Sequence, residues 1–295
     1  MRSQPIVAAI GEVLWDVYPD AARFGGAPAN FACHAAALGA DAPLVSAVGV
    51  DEPGDKAIQT LGAHFVDTSC IGRDQAHATG QVQVVVDDAG RPTYLIAQDS
   101  AWDHISWSDS LLTLARQADA VCFGTLAQRS SESRETIRRF LGATLPGTLR
   151  MFDVNLRQNF YDARIIDASL QLASATKLNE EELPTVARLC GVGTSSQAEM
   201  LRSLVQKYEL RLAALTCGPD GALLMTPDQE SECPAVGTTV VDTVGAGDAF
   251  TATMVIDFLR GVPMADINRH ANAVASFVCS QPGAVAALPA NLLSP

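Results

Sequence analysis

The chain is 295 residues long, 48% of its residues are hydrophobic, and its formal net charge at pH 7 is −13. The hydrophobic content is sufficient for a large buried core, and the length fits one α/β domain or two smaller ones. The negative charge argues against nucleic acid or an anionic membrane as the main partner, although a local set of backbone N–H groups could still bind an anionic substrate.

The cysteines and the N-terminal segment indicate the compartment. Seven cysteines are scattered without a C-x-x-C pair, and most have apolar neighbours, which is typical of free thiols in a reducing environment. The opening segment "MRSQPIVAAIGEVLWD" has one arginine and a short apolar run, unlike a secretory signal peptide. No apolar run has the length needed to span a bilayer. We therefore expect a cytoplasmic protein.

Short apolar runs alternate with longer amphipathic ones along the chain. Residues 131–144 and 195–208 are examples of the latter, because their apolar side chains recur three and four positions apart. Such alternation is typical of a largely parallel sheet with helices on both faces. We predict strands at residues 6–10, 43–49, 81–88, 93–97, 120–126, 149–155, 176–179, 212–218 and 221–226.

One segment departs from this alternation. Residues 79–97 contain two predicted strands around the turn "DDAGRP", a pattern that indicates an antiparallel hairpin. In an α/β protein such a hairpin could form a sheet edge or a flap over a pocket. Because no repeat, low-complexity stretch or linker is present, we predict a single α/β domain over residues 1–295. A small β lid is expected from segments near 11–25 and 79–105.

A glycine-rich stretch, "GGAPANFACHAAALGA", occupies residues 25–40. Gly25 and Gly26 would leave room for a ligand against the backbone, and Pro28 suits the first turn of a helix. Asn30 then offers an amide that can both donate and accept hydrogen bonds. An ordinary Gly-Pro turn before an alanine-rich core helix has the same pattern. Asp16, just after the first strand, can equally be a solvated loop acid.

A second glycine-rich stretch, "VVDTVGAGDAFTATMV", places a carboxylate where a turn becomes a helix. Gly245, Ala246 and Gly247 should lie at the N-terminus of that helix, where free N–H groups and the helix dipole favour an anion. Asp248 beside them suits phosphoryl transfer, which needs donors for the phosphate oxygens and a base for the attacking hydroxyl. A dipole-favoured carboxylate in the first helical turn is the simpler interpretation of this motif by itself.

The string "DTVGAGDAF" resembles the C-terminal motif of the ribokinase-like (PfkB) carbohydrate kinases, and "GGAPANFACHAAALGA" resembles their N-terminal motif. With "FDVNLRQNFY" and "KLNEEEL" between them, the resemblance extends over essentially the entire chain. It implies a ribokinase-like α/β fold and an ATP-dependent sugar kinase that uses Mg²⁺. In that family's arrangement Asp248 would be the catalytic base, and the amides of Gly245, Ala246 and Gly247 would form the anion hole.

The resemblance also assigns the sugar side of the site. Gly26 and Asn30 should contact the sugar, and Asp16 should accept hydrogen bonds from its neighbouring hydroxyls. Arg157, from the D-x-N-x-R pattern that begins at Asp153, is expected at the substrate or at the transferred phosphate. A surface salt bridge is the alternative role of this arginine.

For the nucleotide side the resemblance implies a larger set of residues. Glu182 belongs to an N-x-x-E motif near the Mg²⁺-phosphate site and would act on the ion through bound waters. Asp242 is a candidate for a monovalent cation such as K⁺, but the loop "GAVAALP" lacks a hydroxyl that some members contribute, which makes potassium activation doubtful. The nucleotide itself is expected at Asn179, Thr216, Gly218, Gly221, Asn272 and Ala275.

Other enzyme classes lack their motifs in this chain. A dehydrogenase would need G-x-G-x-x-G after the first strand, and a P-loop kinase would need G-x-x-x-x-G-K-[ST]. Neither pattern is present. The five histidines show no metal-ligand spacing, so no histidine metal site is expected.

The acceptor is the least determined part of the prediction. The segments "RPTYLIAQDSAWDHI", "GEVLWD" and "GGAPAN" look closest to bacterial fructokinase-like members, so D-fructose is the first candidate. 2-Keto-3-deoxygluconate, ribose or a nucleoside are alternatives, and a sugar acid would need a cation such as Arg157, Arg129 or Arg91. A sugar-binding regulator without catalysis is a further alternative. The family resemblance also makes a homodimer through the β appendage plausible.

Overall fold

The structure is a computed structural model that describes residues 4–86, 92–193 and 195–295. Its strands are β1 (Val7–Ile10), β2 (Leu14–Val17), β3 (Ala22–Gly25), β4 (Leu44–Gly49), β5 (Ile71–Asp74), β6 (Gly80–Val86), β7 (Pro92–Ile96), β8 (Ala120–Phe123), β9 (Leu149–Asp153), β10 (Ala175–Asn179), β11 (Leu212–Thr216), β12 (Ala222–Met225) and β13 (Glu230–Cys233). Its helices are α1 (Ala27–Ala37), α2 (Glu52–Ala63), α3 (Asp109–Gln117), α4 (Ser131–Ala143), α5 (Ala163–Leu172), α6 (Glu182–Leu189), α7 (Gln197–Lys207), α8 (Ala246–Leu259) and α9 (Met264–Cys279).

The main sheet has nine strands in the order β13-β12-β11-β10-β9-β8-β1-β4-β5. Every neighbouring pair from β11 to β5 is parallel, and β12 and β13 add an antiparallel edge. Because parallel strands direct their carboxyl ends to one edge, side chains that follow β1, β9, β10 and β11 are brought together there. The predicted largely parallel α/β fold is confirmed.

Helices cover both faces of this sheet, because its central strands are buried on both sides. Ala8 and Ile10 of β1 pack into a core shared with α3 to α7. Val7 and Ala9 of the same strand face a second core shared with α1, α2, α8 and α9. Within the described residues, no helix is long and apolar enough to cross a membrane.

A separate four-stranded sheet has the order β3-β2-β6-β7. It contains the predicted hairpin, with β6 and β7 antiparallel, and adds β2 parallel to β6. The turn of that hairpin, including Arg91, lies outside the described residues. The edge strands β5 and β13 were not predicted, because "IGRD" and "ESEC" are short and mostly polar.

Candidate active site

A cleft of about 1150 Å³ lies between the carboxyl edge of the main sheet and the small sheet. The small sheet contributes Asp16, Val82, Tyr94 and other side chains, whereas Lys177 comes from the middle of β10 and Thr216 from the end of β11. The start of α8 also reaches this cleft. Most of the predicted site residues line it: Asp16, Gly26, Asn30, Arg157, Asn179, Thr216, Gly218, Gly221, Gly245, Ala246, Gly247, Asp248, Asn272 and Ala275.

Asp248 and Asn30 meet at the centre of the cleft. The side-chain amide of Asn30, on α1, donates a hydrogen bond of 2.9 Å to Oδ2 of Asp248, in the first turn of α8. Both side chains are buried, with 3% and 8% of their surfaces exposed. Burial and the nearby charge of Asp153 raise the pKa of Asp248 to about 7, against the opposing effects of Asn30, Lys177 and Arg157. A carboxyl group with this pKa can exchange a proton near neutral pH.

The backbone at the start of α8 has the geometry of an anion site. Gly245 caps the helix with φ +81°, and a Cβ there would collide with the carbonyl group of Ala284. The N–H of Ala246 makes only a long contact of 3.4 Å with Thr243 O. The N–H groups of Gly247 and Asp248 lie in the first turn, where a helix offers them no acceptor. These amides can therefore donate to a phosphate in the cleft.

A buried ion pair supports this site, and we did not assign its lysine from the sequence. Nζ of Lys177 lies 3.2 Å from Oδ1 of Asp153, and each side chain is 5% exposed. The hydroxyl of Thr251 donates to the other carboxylate oxygen of Asp153, at 2.9 Å. A Cβ on Gly247 would lie 2.9 Å from Nζ of Lys177, so this glycine lets the ammonium group approach α8.

The lysine is cationic in this environment. Burial lowers the pKa of Lys177, but the negative charges of Asp153, Glu182 and Asp248 act more strongly in the opposite direction, so the pKa is raised overall. The sequence signal for this residue is a lysine inside the predicted strand at residues 176–179.

The part of the cleft next to the small sheet contains the carboxyl groups of Glu12 and Asp16 and the amide of Asn30. These groups can accept hydrogen bonds from hydroxyl groups. Oε2 of buried Glu12 and Oδ1 of Asn30 have no hydrogen-bond partner among the described residues. Burial raises the pKa of Glu12 and of Asp16. Gly25 leaves room for Asp16, because a Cβ there would lie 3.0 Å from its Oδ2. Sequence analysis did not assign Glu12.

Arg157 is exposed at the wall of the cleft. Its guanidinium donates to Leu156 O at 3.1 Å and to Oδ1 of Asn155 at 3.2 Å, so it makes no salt bridge within the described residues. Arg129, the alternative cation for a sugar acid, is not available to the cleft. It pairs with both carboxylate oxygens of Asp103 and lies over the ring of Trp102.

Another part of the cleft has a mostly apolar wall. Val236, Val240 and Ala275 line it together with Thr216 and Gly221. Such a surface suits the flat face of a nucleotide base. Asn272 also lines it, and its amide donates to the carbonyl and side-chain oxygens of Asn268, at 2.8 and 2.9 Å.

The two acids that we expected to act on metal ions, Glu182 and Asp242, already accept hydrogen bonds from other groups. The carboxylate of Glu182 accepts the backbone N–H groups of Leu156 and Asn179, at 2.8 and 2.9 Å. Each carboxylate oxygen of Glu182 is therefore engaged by a backbone N–H group, which favours contact with an ion through bound waters. Asp242 accepts from Arg23, Val244 N and Gly283 N, at 3.1 to 3.3 Å, so a monovalent cation would compete with an arginine.

This parallel α/β fold, with an anion site and a buried acid at the carboxyl edge of its sheet, defines a phosphotransferase of the ribokinase-like class. Residues 19–291 match the family described as pfkB family carbohydrate kinase. The chain belongs to that family and is an ATP-dependent sugar kinase.

Three relatives illustrate the range of similarity. An uncharacterized sugar kinase of Pyrococcus horikoshii is 30% identical over 95% of this chain and 91% of its own. Its crystal structure in complex with ATP matches with a TM-score of 0.81 at 28% identity, covering 98% of this chain and 95% of the other. A fructokinase of Klebsiella pneumoniae is 32% identical over 86% of this chain and 85% of its own. An aminoimidazole riboside kinase of Salmonella typhimurium is 29% identical over 98% of this chain and 93% of its own.

Proposed function

We propose that this kinase transfers the γ-phosphoryl group of ATP to a hydroxyl group of D-fructose, with Asp248 as the base. The observation that carries the proposal is the 2.9 Å hydrogen bond between Asn30 and Asp248. It brings the buried acid from the start of α8 to the part of the cleft lined by Glu12 and Asp16, where hydroxyl groups have acceptors.

The reaction needs a proton acceptor next to the attacking hydroxyl. Ionised Asp248 would take that proton as the oxygen bonds to phosphorus, while ADP leaves on the opposite side. Its pKa near 7 is close to the working pH, where a general base is most effective. Asn30 fixes the carboxylate orientation and keeps its own Oδ1 available for a sugar hydroxyl.

The transferred group gains negative charge that must be stabilised. The first-turn amides of α8 and the ammonium group of Lys177 lie beside Asp248, and Arg157 lies at the cleft wall. We assign the amides of Gly245, Ala246 and Gly247 to the anion hole and Arg157 to the sugar or the phosphoryl group. Preorganised donors of this kind stabilise a transition state without reorganising.

The residues present fit Mg²⁺ that is bound mainly through phosphate oxygens and waters. The exposed carboxylates of Glu180 and Glu181 line the cleft next to Asn179, whereas Glu182 orders the backbone of the same loop. Mg²⁺ keeps several waters in such sites and neutralises the phosphate charge. We therefore assign Glu182 an indirect role. Asp242 remains the proposed residue for K⁺, which would have to compete with the three donors that it already accepts.

The balance of acceptors and cations favours a neutral polyol. Glu12, Asp16 and Asn30 offer acceptors, and within the described residues the cleft is lined by two cationic side chains, of which Lys177 is paired with Asp153. Only Arg157 would face the carboxylate of 2-keto-3-deoxygluconate. The similarity to a fructokinase supports fructose, and the similarity to a riboside kinase keeps ribose or a nucleoside as the second candidate.

An ADP-release screen with ATP and Mg²⁺ tests the acceptor. The panel should contain fructose, glucose, ribose, 2-keto-3-deoxygluconate, adenosine and aminoimidazole riboside. We expect the highest kcat/KM with fructose. A higher kcat/KM with a riboside would contradict the assignment of fructose, and sugar binding without turnover of any acceptor would indicate a non-catalytic regulator.

The small sheet covers the sugar side of the cleft, and we propose that it acts as a lid that excludes water. Gln158, from the loop after β9, donates a hydrogen bond of 2.5 Å to Tyr94 O of β7, which joins the two sides of the cleft mouth. Hydrogen exchange of residues 80–86 and 92–96 should slow when fructose saturates the protein. Unchanged exchange would contradict the lid.

We also propose a homodimer through this sheet, because the side chains of Tyr94 and Leu95 on β7 are exposed. Light scattering of the parent and of Leu95→Glu would test that arrangement. Cytoplasmic localisation remains part of the proposal, in keeping with the seven free cysteines.

A further inference from the structure

A cluster of two histidines and three carboxylates lies outside the catalytic cleft. His77 belongs to the loop between β5 and β6, and His104 ends a short turn after β7. Asp99, in the segment between them, has a left-handed backbone with φ +56°. The two imidazole rings stack, with centroids 3.6 Å apart and planes at 11°. None of these residues lines the cleft.

Each imidazole is oriented by a carboxylate at its Nδ1. His77 Nδ1 lies 2.9 Å from Oδ2 of Asp74, and His104 Nδ1 lies 2.9 Å from Oε2 of Glu132, in the first turn of α4. Ionised carboxylates only accept hydrogen bonds, so each Nδ1 carries a proton. The Nε2 atoms are thereby directed towards Asp99, at 3.7 Å from His77 and 2.8 Å from His104.

This arrangement has an excess of negative charge. His104 has a carboxylate at each ring nitrogen, and Oδ1 of Asp99 faces Nε2 of both histidines. A divalent cation between the Nε2 atoms and Asp99 would neutralise part of this charge.

We propose that Nε2 of His77, Nε2 of His104 and the carboxylate of Asp99 form a binding site for a divalent transition metal such as Zn²⁺. The three ligand atoms lie within 4.8 Å of one another. Tetrahedral ligands at about 2.1 Å from zinc are about 3.4 Å apart, between the two distances to Asp99 found here. Two nitrogens and one oxygen suit zinc, with water as the fourth ligand.

The outer contacts match those of known metal sites. Histidine ligands usually donate their second N–H to a carboxylate, which fixes the tautomer and the ring orientation. Asp74 and Glu132 hold these positions. Two parallel rings cannot both direct in-plane lone pairs at one ion, so binding requires them to tilt apart. Their side chains are 26% and 25% exposed, which leaves room for this motion and a path for the ion.

The site would clamp the base of the small sheet. His77 precedes β6, Asp99 follows β7, and Glu132 belongs to α4 of the main domain. A bound ion would therefore join both ends of the β6–β7 hairpin to one another and, through Glu132, to the main domain. The site is independent of the acceptor sugar, so it does not rest on the proposed function.

Calorimetric titration of the chelator-treated, reduced protein with Zn²⁺ alone is the test. We expect one ion per chain. His77→Gln, His104→Gln and Asp99→Asn should each abolish this binding, and Asp74→Asn should weaken it about 10–100-fold. Asp99 is exposed, so its variant should fold normally.

His64→Gln is the matched control, because His64 ends α2 away from the cluster. It should bind Zn²⁺ like the parent. Absence of binding in the parent would overturn the proposal. Equal binding by the parent and all cluster variants would also overturn it and would place the ion on the partly exposed cysteines. Co²⁺ provides a second readout, since its absorption spectrum should show nitrogen and oxygen ligands without thiolate.

Discussion

The side-chain amide of Asn30 donates a 2.9 Å hydrogen bond to the carboxylate of Asp248, although 218 residues separate them in the chain. Each residue is held by a helix whose first turn faces the cleft, α1 for Asn30 and α8 for Asp248. The contact therefore couples the orientation of the proposed base to the wall that would bind the sugar.

Replacement of the proposed base should remove turnover and spare binding. In Asp248→Asn we expect kcat to fall by about 10²–10⁴-fold, the usual contribution of a general base, with fructose affinity changed far less. Steady-state kinetics and calorimetry measure the two effects. Asp109→Asn, which changes an exposed acid in the first turn of α3, is the control and should be fully active. Unchanged kcat in Asp248→Asn would indicate that Asp248 is not the base and only interacts favourably with the dipole of α8.

The same substitution predicts a pH dependence of stability. The folded-state pKa of Asp248 is raised from 3.8 to about 7, so the folded protein binds this proton more tightly than the unfolded chain. The contribution of Asp248 to stability should therefore decline from pH 4 to pH 7, by at most about 1.4 kcal/mol per pH unit. Asp248→Asn should gain stability relative to the parent over this range. Parallel urea-denaturation curves at all pH values would contradict the raised pKa.

Removal of the buried ammonium should have two separable effects. Lys177→Met leaves Asp153 buried and partly unpaired, which we expect to cost about 3–5 kcal/mol of unfolding free energy. The double variant Lys177→Met/Asp153→Asn should recover most of this stability but little kcat, because the positive charge beside Gly247 is still absent. Urea denaturation and kcat measurements distinguish these effects. A double variant with the parent's kcat would show that the pair is purely structural.

Two glycines of the same turn should respond differently to alanine. Gly247→Ala places a Cβ 2.9 Å from Nζ of Lys177, which must shift within its ion pair with Asp153, so kcat should fall while the melting temperature falls less than in Gly245→Ala. In Gly245→Ala the Cβ meets the backbone of Ala284 at φ +81°, where the left-handed conformation alone costs about 1–2 kcal/mol. This variant should therefore be clearly less stable. The reverse order of melting temperatures would contradict this description of the turn.

Asp16 should affect sugar binding more than the chemical step. Asp16→Asn removes a charged acceptor, and a hydrogen bond to a charged group contributes about 1.5–3 kcal/mol, so the KM for fructose should rise by about 10–100-fold. The KM for ATP should be unchanged. Asp20→Asn, at the exposed turn between β2 and β3, is the control. An equal KM for fructose in both variants would contradict the assignment of Asp16 to sugar binding.

Acid should weaken the contact between α1 and the loop after α9. Buried His34 hydrogen-bonds Ala284 O at 3.0 Å, and burial lowers the pKa of His34 to about 4. The unfolded chain binds this proton more tightly, so stability is lost as the pH falls from 6.5 to 4, by at most about 1.4 kcal/mol per unit. His34→Gln should be less stable at pH 7 but lose less stability over this range. The same acid slope in both proteins would contradict a neutral His34.

The sequence was most informative where strong local patterns coincide. The parallel sheet follows from alternating strand and helix patterns, and the two glycine motifs identified the central residues of the cleft: Gly26, Asn30, Gly245, Ala246, Gly247 and Asp248. Neither motif shows by itself that Asn30 contacts Asp248, because a 2.9 Å contact between distant helices depends on the packing of α1 and α8.

Pairs formed across strands were missed for a related reason. Lys177 and Asp153 belong to neighbouring strands 24 residues apart, and a single lysine in a short apolar run has no characteristic spacing. The histidine cluster was likewise not expected, because loops bring His77 and His104 together. Glu182 was expected near Mg²⁺ from its motif, but its backbone contacts are visible only in three dimensions.

The burial of Asp248 has a consequence for ATP when no sugar is present. At a pH near its pKa of about 7 the neutral form of Asp248 is populated, and a neutral carboxyl group cannot activate a water molecule. We expect spontaneous hydrolysis to be correspondingly slow. An acceptor that displaces solvent from Glu12 and Asn30 would place its hydroxyl group beside the ionised carboxylate, so discrimination between an alcohol and water depends on which of them is aligned with Asp248.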